Sequence, residues 1–165
     1  MKKKLLLALP LLILIIFSGF LAYHYFLVGT PDPLLSPDQQ TIRDEFGPPD
    51  QFVVTYMPHG SGTQTGLNRM DIWYYKDAGK KLSFIAGVLS VSEDYSLPEY
   101  TLSTSLKPEN FNYFMNYSAV KNNLSDKEIY QLDYEPVETY ASPQALFIME
   151  NGRLTYFQTL YAQKP

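Results

Sequence analysis

The chain has 165 residues with 13 Lys and Arg against 17 Asp and Glu, and no cysteine. The missing thiols exclude a disulfide framework, a Cys-based metal site and a lipid-modified N-terminal Cys. Its net charge of −4 argues against nucleic acid as a partner.

The charge is unevenly placed. Lys2, Lys3 and Lys4 form a basic head, and Leu5 to Gly29 carries no charged residue. As a helix that run would span roughly 37 Å, enough for a hydrocarbon core of about 30 Å. The head lysines favour the cytoplasmic side, and Tyr23 to Phe26 sit where an outer aromatic belt belongs. A single-pass membrane anchor is expected over residues 1–30, with 31–165 as an extracytoplasmic domain of the cell membrane. The alternative is a cleaved signal peptide, although the run is long for one and no A-x-A site follows it. Removing the head lysines leaves ten basic and seventeen acidic residues, a net charge of −7 beyond residue 30.

Beyond the proline-rich exit Thr30 to Pro33, Ser36 is set to cap a helix. Pro37 stands at its first position, and Gln39 completes a capping box. Ile42 and Phe46 share one face. Gly47 with Pro48 and Pro49 ends the helix, and an extended segment follows from Gln51 to Met57. Pro58 to Gly66 has the composition of a polar loop. Arg69 to Lys76 alternates, with Met70, Ile72 and Tyr74 on one face and Trp73 and Tyr75 on the other. Asp77 to Lys80 turns the chain, and Leu82, Phe84, Ala86 and Val88 alternate back, the pattern of a hairpin.

A short helix is expected near Pro108. Asn116-Tyr117-Ser118 and Asn123-Leu124-Ser125 match the glycosylation acceptor pattern, which is frequent by chance. Ser125 with Glu128 reads as a second capping box opening a brief helix through Ile129 and Leu132. Gln144 to Met149 and Leu154 to Tyr161 flank Asn151-Gly152, a strong hairpin signal. The expected fold class is α+β: a transmembrane helix, then antiparallel hairpins around Gly79 and Gly152 with short helices on one face. The segments 34–92 and 124–162 each read as a capped helix followed by a hairpin, either a tandem duplication or two hairpins alike only in alternating their aromatics.

Ile42, Phe46, Gly47, Pro49, Trp73, Tyr74, Phe84 and Gly87 carry a resemblance to the SmpA/BamE-like family, related in architecture to the β-lactamase inhibitor protein. It covers about residues 36 to 91, with a weaker echo over 125 to 161. The resemblance implies helices packed on one face of an antiparallel sheet and a domain that binds other envelope proteins. The outer-membrane members are lipoproteins; this chain has no cysteine to carry the lipid.

No catalytic constellation is legible, and no cofactor or metal is expected. The histidines are His24 at the membrane boundary and His59 beside Ser61 in the polar loop, with nothing rigid to hold either. Asp44 with Glu45, and Glu93 with Asp94, are adjacent and cannot face each other. Trp73 and Tyr75 share a strand face, which either stays open as an aromatic anchor for an envelope protein or is covered by helices. The expected function is a membrane-anchored binding or scaffold module acting through protein contacts. The alternative is an envelope enzyme, or an accessory subunit of one, using carboxylates such as Asp71 or Glu93.

Overall fold

A computed structural model describes residues 14–20, 35–61, 64–96, 106–124, 128–134 and 137–160. Helix α1 is described over residues 14–20. Then come α2 (Pro37–Phe46), β1 (Gln51–Ser61), β2 (Gln64–Tyr75), β3 (Lys80–Ile85) and β4 (Val88–Asp94). A 3₁₀ turn (Pro108–Asn110) and α3 (Tyr117–Asn123) precede β5 (Tyr130–Asp133), β6 (Glu138–Ala141), β7 (Ala145–Glu150) and β8 (Arg153–Thr159).

All eight strands form one antiparallel sheet in the order β4-β3-β2-β1-β8-β7-β6-β5. Each half is a meander, and the halves join where the first strand pairs with the last. This seam is short: Val53 lies opposite Gln158, Val54 opposite Phe157 and Thr55 opposite Tyr156. Thr159 reinforces it, its hydroxyl accepting from Phe52 N at 2.9 Å and donating to Phe52 O at 3.2 Å.

The architecture overturns the expected α+β fold, in which hairpins around Gly79 and Gly152 carry short helices on one face. The chain is mostly one continuous sheet, because every strand from Gln51 onward finds two neighbours except the two at its ends. Among the described residues no helix is long and apolar enough to cross a membrane; most of the run from Leu5 to Gly29 lies outside them. The hairpins paired as repeats also occupy unlike places: β2–β3 are the second and third strands of their meander, β7–β8 the third and fourth.

Four local readings change as well. Residues 130–133 are strand, not helix, and the helix of this half lies earlier, at α3, where the Asn116 side chain accepts from Ala119 N at 2.9 Å. The helix expected near Pro108 is a single 3₁₀ turn. Pro58 to Gly66 is largely ladder: Pro58 lies opposite Leu67 and His59 opposite Gly66, so β1 and β2 continue as a two-stranded ribbon beyond their other neighbours. Ala86 and Gly87, both at positive φ, break the long alternation after Phe84 into a tight turn and an additional strand, β4.

The core lies on one side of the sheet. Phe52, Val54, Trp73, Leu82, Phe84, Phe147 and Phe157 point into it and meet Leu106, Phe111, Met115 and Val120 from the covering segments. Phe111 stacks on Phe157 with ring centroids 3.7 Å apart. Burying each large apolar side chain contributes about 1.5–3 kcal/mol.

Candidate functional site

Helix α2 is fastened to the sheet at its N-terminus. The Ser36 hydroxyl accepts from Gln39 N at 3.1 Å, and the Gln39 amide oxygen accepts from Ser36 N at 3.1 Å. The two bonds make the capping box. Gln39 also reaches inward, its Nε2 donating to Asp71 Oδ2 at 3.2 Å. The Ser36 hydroxyl donates to Gly87 O across the β3–β4 turn.

Asp71 is fully buried within a register row of apolar residues, Phe84, Asp71, Val54, Phe157, Phe147 and Tyr140. Arg69, two residues earlier on the same strand face, makes that tolerable: Nε and Nη2 each reach the carboxylate at 2.8 Å. The remaining guanidinium donors hold Phe111 O and Pro108 O, both at 2.6 Å, and the Tyr56 hydroxyl at 3.4 Å. Burial lifts the Tyr56 phenol to about 12, opposed by the charge of Arg69. A cavity of about 190 Å³ opens beside this group, lined by Leu35, Ser36, Gln39, Arg69, Asp71, Ala86, Gly87 and Glu109. Glu109 pairs with Arg43. The side chains around the cavity bond mainly to one another and to backbone, so the network acts as a joint between α2, β2 and the 3₁₀ turn.

Trp73 and Tyr75 belong to the same inner face and are fully or nearly buried. Trp73 lies against Phe84 with ring centroids 4.8 Å apart, and the Tyr75 hydroxyl donates to Gly47 O at 3.1 Å. Burial raises the Tyr75 phenol further than that of Tyr56. Neither residue is available to a partner at the surface, so of the two readings of this strand face the covered one holds.

Among the described residues the opposite side of the sheet is the more exposed one, although Val53 at its centre is buried. Its register places Val91, Ser83, Ile72, Val53, Gln158, Leu146, Ala141 and Tyr130 side by side across all eight strands. A parallel row runs Ile85, Met70, Thr55, Tyr156, Ile148, Thr139, Asp133. Of these fifteen residues only Asp133, at one end, carries a charge. Seven spacings of about 4.8 Å make the longer row roughly 33 Å long. Two rows cover on the order of 400–500 Å², the size of the largest patches on monomeric proteins, which are often functional. Ile72, Met70, Tyr156, Ile148 and Leu146 are half-buried there. The period-two alternation in β2, β7 and β8 carried the signal for this face, but in β2 the covered set holds the charged Arg69 and Asp71 beside Trp73 and Tyr75, so the pattern alone did not say which side would be covered.

The carboxylates considered for catalysis do not converge. Asp71 is on the inner face, tied to Arg69. Glu93 stands opposite Lys81, which alternates with the buried Leu82, and accepts from Lys81 Nζ at 2.9 Å on the outer face. Asp44, Glu45 and Asp94 are exposed. His59 projects on the β1–β2 ribbon, close over Gly66, and His24 lies outside the described residues. No group of three or more potential metal ligands occurs among the described residues. No family model, curated protein or solved structure matches the chain.

Proposed function

We propose that the protein is a binding or scaffold module of the cell envelope, held at the membrane by its N-terminal apolar segment, with residues 31–165 outside the cytoplasm. It engages a protein partner through the outer face of its sheet. The observation that carries this reading is the pair of register rows with one charge in fifteen residues, on a domain whose net charge is −7. Charged side chains are depleted at the centres of protein interfaces, and a large uncharged face in a charged domain matches that pattern. Membrane attachment rests on the uncharged run from Leu5 to Gly29 behind three lysines. The SmpA/BamE-like resemblance over residues 36 to 91 supports the assembly role. A tether confines both partners to one surface, so modest contacts suffice for occupancy.

The test is photo-crosslinking in native membranes with the crosslinker at Tyr156, comparing the parent protein with Ile72→Lys. A partner captured by the parent and lost in a folded Ile72→Lys protein is the expected result. Equal capture by both would remove the outer face from consideration. Release of the protein by alkaline carbonate would refute the membrane attachment.

A further inference from the structure

The two ends of the sheet are treated differently. Strand β4 is exposed along its length, but α2 guards it: the Asp38 carboxylate accepts from Leu89 N at 2.8 Å, and Ser36 holds Gly87 O. Glu93 and Asp94 place charge on its last residues, a common protection of edge strands. Among the described residues no helix is bonded to β5 in this way, and the local cover is the Gln131 amide nitrogen, which donates to Asp133 O at 3.3 Å. Tyr130 and Leu132 are each 60% exposed, and Tyr134 just beyond them is 69% exposed. Residues 128–138 contain Glu128, Asp133, Glu135 and Glu138 and neither Lys nor Arg.

We infer that the outer edge of β5 receives an extended basic segment of a partner protein as a ninth strand. Main-chain hydrogen bonds along residues 130–133 supply the attachment, as in strand addition generally. The exposed rings of Tyr130 and Tyr134 offer faces to Lys or Arg, and Asp133 offers an exposed carboxylate. A second copy of this chain is the poorer occupant, because it would bring a second acidic edge and a second net charge of −7 alongside the first. The register shift between Gln131 and Asp133 shortens the regular ladder. A short ladder gives charge complementarity a larger share of the selection. The edge shares Tyr130 and Asp133 with the end of the outer-face rows, but Ile72 and Tyr156 at the middle of that face lie several strands away, so a substitution at Ile72 separates the two.

The test uses the full chain in detergent micelles and fluorescence anisotropy with three labelled synthetic peptides. One alternates lysine with valine, one replaces lysine with glutamate, and one carries the lysine sequence with alternate backbone nitrogens methylated. The lysine peptide is expected to bind. The methylated one should bind about tenfold or more weaker, as lost backbone bonds require. The glutamate peptide and the Asp133→Lys protein should each weaken binding about fivefold or more. Ile72→Lys should leave peptide binding unchanged even where it abolishes crosslinking. Equal binding of the methylated peptide would overturn strand addition. Indifference to both charge reversals would overturn the basic partner. Self-association in sedimentation that Asp133→Lys alters would assign the edge to a second copy instead.

Discussion

Gln39 and Asp71 lie 32 residues apart in sequence and meet at 3.2 Å, with the same Gln39 side chain closing the capping box of α2. One amide therefore satisfies a helix terminus with its oxygen and a buried carboxylate with its nitrogen. The helix start and the second strand are coupled through it.

Asp71→Asn should expose the asymmetry of this network. Removing one partner of a buried pair leaves the other uncompensated, at a cost of about 3–5 kcal/mol. Asp71 is almost wholly buried and Arg69 about one-fifth exposed, so the lower end is expected. Glu93→Gln, which touches only the outer Lys81 pair, should cost less than about 1 kcal/mol. Urea titrations of the two variants check the contrast; similar midpoints would show that the Asp71 pair is not a buried joint.

Gly87→Ala should be more damaging than Gly152→Ala. Both positions have positive φ, costing a non-glycine residue about 1–2 kcal/mol. At Gly152 an added Cβ meets nothing within 4 Å, whereas at Gly87 it lies 2.7 Å from Ser36 Cβ. The Gly87 variant must also push α2 away from the β3–β4 turn. Amide exchange should quicken at Gln39 in this variant and stay unchanged there in Gly152→Ala.

Alkaline pH should unfold the domain in a defined window. The Tyr56 phenol titrates at about 12 in the folded protein, because of burial, against about 10 in an unfolded chain. A raised value means the folded state keeps its proton longer. The associated stability is complete below pH 10 and lost as pH rises from 10 toward 12. Tyr75 is shifted the same way by burial and adds to the loss. Tyr56→Phe should flatten that decline in denaturation midpoint; an unchanged slope would remove Tyr56 from its cause.

Trp73→Ala should act on stability rather than on recognition. The indole is fully buried, and its Nε1 has no hydrogen-bond partner among the described residues. Truncation costs about 3–5 kcal/mol of core packing. Any loss of partner capture in this variant should accompany a loss of cooperative unfolding in circular dichroism. Selective loss of capture by a fully folded Trp73→Ala protein would contradict its placement in the core.

Much of the local structure was legible because single residues dictate it. Ser36, Gln39 and Gly47 specify both ends of α2, and Asn151-Gly152, both at positive φ, turns β7 into β8. Strand β5 was misread because Ser125 and Glu128 imitate a helix start, while an edge strand exposed on both sides shows no clean alternation. The ribbon beyond Met57 was hidden for the same reason. The faces of β2 were harder still. Asp71 shares the side of Trp73 and Tyr75, and a carboxylate ordinarily marks the solvent side. Arg69 and Gln39 reverse that meaning, and only Arg69 is near in sequence. The outer face depends on eight strands falling into register, which no single segment reveals.

The seam between β1 and β8 has a kinetic consequence. A chain emerging from its N-terminus completes β1 about a hundred residues before the strand that covers it, since Val53 pairs with Gln158. Throughout that interval β1 presents a bare, apolar margin ready to pair with any strand at hand. Loop closure over such a separation slows folding, and the waiting intermediate is prone to aggregate. Strand β8 is thus the one that relieves β1 of its exposure. Shortening the chain before Phe157 should leave a first meander whose hazard is association with itself rather than simple loss of the second half.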